Sequence, residues 1–162
     1  MKLDQIWWLV SPQNPLKSAH GTAPLAERIA SARAAANHPY IKVLDLETQM
    51  GTRYTIDTVR ALRRFYPRTH FVWLMGADNL GQIRHWRDWL TIFALLPIAV
   101  LDRPTYSLKA LAELPAQRYR RQRVKPEAAG SLADLPPPAW TFLPIPLDPS
   151  SATEIRAKAN PS

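Results

Sequence analysis

Four short runs of continuous apolar residues, rich in β-formers, recur along this chain, and helical stretches separate them. They are Ile6–Val10 (IWWLV), Ile41–Leu46 (IKVLDL), His70–Met75 (HFVWLM) and Ile98–Asp102 (IAVLD). Continuous rather than alternating hydrophobicity predicts strands covered on both faces. Strands alternating with helices predict an α/β fold with a parallel sheet between two helical layers. The helices are expected over Ala23–Asn37, Thr55–Tyr66 and Trp86–Leu95. Pro24 suits a first turn, Ile56, Val59 and Leu62 share a face, and His38-Pro39 and Pro67 supply stops. Trp140–Ile145 reads as a fifth, weaker strand, because Pro144 and Pro146 cannot donate to a ladder. A last helix is expected to start near Ser151. The Pro-rich stretch 115–138 reads as a long, partly mobile connection.

In an open parallel sheet, ligands bind beyond the carboxyl ends of the strands. That rule selects SPQNPLK, ETQMGTRYT, GADN, DRPTY and DPSSATEIR, which hold most of the unusual polar residues of the chain. In the last of these, Ser151 and Glu154 have capping-box spacing. Such a helix start stands as a structural cap, or as an anion site when Arg156, one turn along, adds a forked cation. Gly76 allows close approach of a ligand. Asp78 either accepts from ribose hydroxyls or caps a helix beginning at Asn79. Thr55 reads as an N-cap, whose hydroxyl and following N–H groups also suit a small carboxylate. Trp86 is a core aromatic or a stacking platform for a flat heteroaromatic ring. Arg103 directly follows a strand end, as a phosphate ligand or as half of a surface ion pair.

The 162 residues suffice for one domain that buries about 70% of its unfolded surface. An excess of 21 Lys and Arg over 13 Asp and Glu favours polyanionic ligands. Much of it sits in Arg118, Arg120, Arg121, Arg123 and Lys125, a run that reads first as a solvated face and second as a nucleic-acid contact. No apolar stretch reaches the ~18–20 residues of a membrane span, and residues 6–10 are too short for the h-region of a signal peptide. With no cysteine there is neither a disulfide framework nor a thiolate zinc site, and a cytoplasmic location is expected. His20, His38, His70 and His85 form no metal-binding or catalytic spacing, and no P-loop or nucleophile elbow is present. Neither a resident metal nor a nucleic-acid or membrane partner is expected.

Six separated segments then agree in order: VSPQNPLK (Val10–Lys17), RYTIDT (Arg53–Thr58), FVWLMGADNL (Phe71–Leu80), HWRDW (His85–Trp89), DRPTY (Asp102–Tyr106) and SSATEIR (Ser150–Arg156). On these the chain resembles the bacterial nicotinate-nucleotide adenylyltransferases, a family of Rossmann-like nucleotidyltransferases. SSATEIR is similar to that family's SSTxIR signature, with Ala152 where the family often has serine. The resemblance implies transfer of the adenylyl group of ATP to nicotinate mononucleotide, giving nicotinate adenine dinucleotide and pyrophosphate, with Mg2+ carried on ATP. It implies that Thr55 holds the nicotinate carboxylate and Trp86 stacks on the pyridine ring. Asn14, Lys17 and Arg103 would surround the mononucleotide phosphate. Gly76 and Asp78 would face the ATP adenosine, and Ser151, Thr153 and Arg156 would grip its β and γ phosphates.

In that family the strand matching IWWLV is the second. A preceding strand, a GGSFNP-like loop and an H-x-G-H or T-x-G-H motif have no counterpart in these residues. Ala19-His20-Gly21 follows the wrong strand to replace them. The implied fold is a Rossmann-like parallel sheet with its first, central strand missing. It would be a truncated single domain over 1–162, with a gap one strand wide between IWWLV and HFVWLM. Low stability and weak adenylyl transfer are expected of it, and no residue is assigned the catalytic histidine role. The alternatives are an inactive nucleotide-binding module that retains the nicotinate pocket, and a pantetheine-phosphate adenylyltransferase-like enzyme. Pairing Thr55 with Trp86 disfavours the second.

Overall fold

The structure is a computed structural model, and it describes residues 1–12, 23–103 and 107–146. Strand β1 (Ile6–Leu9) is followed by α1 (Leu25–Ala35), β2 (Ile41–Leu44), α2 (Leu46–Gln49) and α3 (Thr55–Phe65). Then come β3 (Trp73–Gly76), α4 (Ala77–Gln82), α5 (Trp89–Leu95), β4 (Ile98–Leu101), α6 (Ser107–Ala112), α7 (Leu114–Arg118), β5 (Arg123–Val124) and β6 (Trp140–Leu143). Every strand pairing is parallel, as the strand–helix alternation predicts.

The strands form two blocks. β1 pairs with β2, and a second sheet runs β3-β4-β6-β5. β1 and β3 face each other across a cleft of about 940 Å³, walled chiefly by residues 2–9 and 68–74. The gap expected between IWWLV and HFVWLM is therefore present. The N–H groups of Ile6 and Val10 donate to Tyr40 and Leu44 across β2 at 2.8 and 2.9 Å. In a parallel ladder these groups alternate, so the main chain of Trp7 and Leu9 faces the cleft. On one side the cleft is bridged by Trp7, whose ring meets Tyr66 and Phe71 edge-on at 5.0 and 5.6 Å.

The core lies on the second sheet. Ile98, Ala99 and Val100 of β4 are all fully buried, which is why this strand reads as a continuous apolar run. Met75, Ile98, Val100, Trp140 and Phe142 cover one face and join Ile56 and Val59 of α3 and Ile92 and Phe93 of α5. Ala99 covers the other face with Leu132 and Ala139. α3 buries Ile56, Val59 and Leu62 along one stripe and exposes Arg63 and Arg64 in its last turn, where cations suit the negative helix end.

Several expectations need correction. β6 is not a weak strand: it pairs with β4 on one side and β5 on the other, and Trp140, Thr141 and Phe142 are buried. Pro144 and Pro146 fall just beyond its end at Leu143, where no ladder bond is required of them. The second strand stops at Leu44, and Leu46 already begins α2. The third starts at Trp73 rather than His70. Within 115–138 the chain forms α7, a 3-10 turn over Arg120–Gln122, β5 and a 3-10 segment over Pro126–Asp134. β5 is fastened by Thr141, whose hydroxyl donates to the Val124 carbonyl at 3.0 Å.

Candidate active site

β3 and β4 are neighbours in register, Gly76 opposite Leu101, so GADN and DRP emerge side by side from the carboxyl edge of the sheet. Gly76 leads directly into α4, with Asp78 in the first turn. Asp78 does not cap a helix at Asn79, because α4 already begins at Ala77 and no side chain caps it. Instead its Oδ2 accepts a hydrogen bond from Arg103 Nη1 at 3.1 Å. Its Oδ1 is covered and has no partner among the described residues. Gly76 has an ordinary φ of −76°, so the backbone does not require glycine there. Space does: a Cβ on Gly76 would lie 2.5 Å from Asp78 Oδ1 and 3.3 Å from Arg103 Cδ. A hollow of about 240 Å³ adjoins Asp78 between α4 and α6, with Lys109, Arg84 and Glu113 on its walls.

The second cluster forms where α3 begins. Tyr54, not Thr55, is the N-cap, with extended φ and ψ of −107° and 143° and no side-chain cap. Asp57 and Thr58 donate their N–H groups to the Tyr54 carbonyl at 2.9 and 3.1 Å. The first-turn N–H groups ahead of them are the ones a helix leaves open, and Thr55 is the first helical residue. Beneath this turn, Thr52 Oγ1 lies 2.9 Å from Thr58 Oγ1, which donates to Glu47 Oε1 at 3.2 Å. A hydroxyl carries one hydrogen, so Thr52 donates to Thr58 and Thr58 to the buried Glu47. The Thr52 N–H also donates to the Glu47 carbonyl at 2.9 Å. This network pins the turn that carries Thr55.

Trp86 sits in a turn rather than in the helix expected over 86–95. It follows a 3-10 turn, Ile83–His85, and α5 begins only at Trp89. Asp88 adopts the left-handed φ of 48°, a conformation that breaks a helix and that Asp tolerates better than most residues. The Trp86 ring is half-buried and packs against the core alongside Tyr54 and Trp89. The Trp86–Asp88 turn is docked onto the start of α3 by three contacts. Arg87 lies over the Tyr54 ring at 5.0 Å, Arg87 pairs with Asp57 at 3.7 Å, and Arg60 pairs with Asp88 at 3.8 Å.

Thus Thr55 and Trp86 share one cluster, and Gly76, Asp78 and Arg103 share another. Asn14, Lys17, Ser151, Thr153, Arg156 and the helix expected near Ser151 lie outside the described residues. Of the five described residues, Thr55, Gly76, Asp78, Trp86 and Arg103, none lines the large β1–β3 cleft. Sequence reasoning passed over Arg53, Arg87 and the Glu47–Thr58 pair, although all of them lie in segments that were singled out. Arg118, Arg120, Arg121, Arg123 and Lys125 are exposed, and Arg123 covers the Trp140 ring at 5.4 Å. Among the described residues no three His, Asp or Glu side chains gather into a metal cage. No described helix is long and apolar enough to cross a membrane.

The cytidylyltransferase-like family matches residues 1–158. The "Probable nicotinate-nucleotide adenylyltransferase" of Ruegeria pomeroyi is 48% identical over 96% of this chain and 72% of its own length. Its namesake from Methylorubrum extorquens is 48% identical over 98% of this chain and 85% of its own length. Among solved structures, the Plasmodium falciparum nicotinic acid mononucleotide adenylyltransferase complexed with NaAD superposes with a TM-score of 0.64. It is 16% identical and covers 95% of this chain and 68% of that one, a likeness of fold. The chain belongs to the cytidylyltransferase-like nucleotidyltransferases and, within them, to the nicotinate-nucleotide adenylyltransferase family.

Proposed function

We propose that the two clusters are the two ends of an adenylyl-transfer site, with the pyridine of nicotinate mononucleotide at Thr55 and Trp86 and the ATP adenosine at Gly76 and Asp78. The reaction is the family's: a phosphate oxygen of the mononucleotide attacks the α-phosphorus of ATP, a new P–O bond forms, and pyrophosphate leaves. No protein nucleophile is needed, so the chain contributes positioning and neutralisation of charge. Arg103, forked and just past the end of β4 beside Asp78, is suited to the mononucleotide phosphate, together with Asn14 and Lys17. Ser151, Thr153 and Arg156 take the β and γ phosphates in this reading. The nucleotidyltransferase family uses a divalent metal with ATP, and Mg2+ enters here as part of the substrate. A cytoplasmic site of action accompanies the proposal.

The observation that carries it is the docking of the Trp86 turn onto the start of α3. A half-buried indole and an uncapped helix N-terminus are thereby held side by side. The indole suits a flat ring, and the open N–H groups suit a carboxylate on that ring.

Trp86→Ala is expected to weaken binding of nicotinate mononucleotide about tenfold, the scale of one lost aromatic stack. ATP affinity should stay unchanged, and Trp86→Phe should recover most of the loss. Isothermal titration of the 162-residue chain with each substrate measures this, and pyrophosphate release with ATP and Mg2+ reports turnover. Equal loss of both affinities would place Trp86 in the core and remove the pyridine from this position.

A further inference from the structure

The edge strand β5 and the turns leading into it carry a run of uncompensated positive charge. From Leu114 to Pro126 the sequence holds Arg118, Arg120, Arg121, Arg123 and Lys125 and no acidic residue. All five cations are exposed. None of them takes part in an ion pair among the described residues.

These charges stand on a fixed backbone. The Tyr119 N–H donates to the Pro115 carbonyl at 3.1 Å, and the Gln122 N–H donates to the Tyr119 carbonyl at 3.0 Å. Buried Trp140 donates to that same Tyr119 carbonyl, and Thr141 holds the Val124 carbonyl. The Tyr119 ring stacks on Phe93 at 4.3 Å. The cations therefore repel one another with no carboxylate to relieve them and no slack in which to spread. Local roles account for only part of the run. Arg118 closes α7, where a cation suits the helix end. Arg123 and Lys125 lie on and beside an edge strand, where charge discourages pairing with another chain. Arg120 and Arg121 serve neither purpose.

We infer that this ridge binds a nucleic-acid strand through its phosphates. The two readings of the run made from sequence thereby change places. None of the five lines the hollow beside Asp78, and β5 is two places from β4 in the sheet, so the surface is not part of the proposed transfer site. Four of the five cations are arginines, whose forks match phosphate oxygens. No aromatic face is free to stack a base, because Phe93 occupies Tyr119 and Arg123 covers the buried Trp140. Contacts to the phosphate backbone carry no sequence information, so binding is sequence-independent. A membrane surface fits less well. Tyr119 and Val124 are half-buried, and Leu114 is the one exposed large apolar side chain of the stretch, which makes no apolar face.

The test is fluorescence anisotropy of a labelled single-stranded RNA, about 20 nucleotides long, with the full chain over a salt series. With about four or five phosphates neutralised, log affinity should fall against log salt with a slope of about −3. Arg118→Gln/Arg120→Gln/Arg121→Gln should flatten the slope by about two and weaken binding more than about tenfold at low salt. Arg120→Gln/Arg121→Gln, which leaves the end of α7 untouched, should give about two thirds of that change in slope. Arg33→Gln/Lys42→Gln/Arg64→Gln removes as much charge from exposed positions elsewhere, and should weaken binding less than about threefold. A second RNA of unrelated sequence should bind within about twofold. A thermal melt of each variant checks that it is folded. Equal losses in the two triple variants would overturn the inference, because net charge alone would then be acting. Absence of RNA binding by the unmodified chain would also overturn it. Binding to phosphatidylserine vesicles that the first triple variant abolishes, without RNA binding, would make a membrane the partner instead.

Discussion

Replacing Gly76 with alanine should abolish most ATP binding while leaving the fold as stable as before. The two effects separate because the glycine is required for space and not for conformation. Its φ of −76° is open to any residue. Gly→Ala at a compatible position normally stabilises by about 0.4–1 kcal/mol, through reduced freedom of the unfolded chain. The new methyl group, however, would sit 2.5 Å from Asp78 Oδ1 and crowd the Arg103 side chain. Asp78 must then swing away, and its bond to Arg103 at 3.1 Å breaks. The expected loss is about tenfold or more in ATP affinity, the scale of a charge-assisted hydrogen bond. Asp78→Ala should show a similar loss. Titration with ATP, beside a thermal melt of each variant, measures both arms. An intact ATP affinity in Gly76→Ala would show that Asp78 is not part of the adenosine site.

The largest effect on stability is expected at Trp140. Its side chain is 1% exposed, and its strand is central in the second sheet. Its Nε1–H donates to the Tyr119 carbonyl at 2.7 Å, and Arg123 lies over its ring. Trp140→Ala removes the packing, opens a cavity and strands that carbonyl, at a cost of about 3–5 kcal/mol. Total stabilities of domains run at about 5–15 kcal/mol, so a large part of the folded population would be lost. Trp140→Phe keeps part of the packing and loses the hydrogen bond, and should cost roughly half as much. The urea midpoint of each variant decides the matter. A drop of less than about 1 kcal/mol for the alanine variant would contradict the core described here.

The main strands were legible because burial on both faces leaves a run with no polar interruption, as in IAVL. The loops beyond their ends were legible through the rule for open parallel sheets. What failed was local. Trp86 was assigned to a helix over Trp86–Leu95, in a stretch that contains no glycine and no proline. The break comes from the positive φ of Asp88, which the residue type permits but does not announce. β6 was underrated because its prolines were counted as belonging to it, although the ladder ends one residue before Pro144. Thr55 was taken for the N-cap because threonine commonly caps. Its hydroxyl-bearing neighbour Thr58 is instead the residue engaged inward, on Glu47. The convergence of Arg53 and Arg87 on one ring required two turns more than thirty residues apart to dock. No periodicity encodes that.

The division of the sheet also bears on how the protein comes apart. Before residue 50, the buried apolar side chains among the described residues are Val10 and Ala32, whereas the large core cluster runs from Ile56 to Phe142. The β1–α1–β2 block therefore holds little of the burial free energy. It is joined to the rest largely through Trp7, on Tyr66 and Phe71. Regions with few buried contacts open at free energies well below that of global unfolding. β1 and β2 should accordingly behave as a separate, cheaper cooperative unit, with amides that exchange before those of β4. In the proposed site, the loop after β1 lies on this weaker unit and the adenosine end on the stronger one. A substrate that spans both would fasten the first to the second, so that binding would be felt as folding.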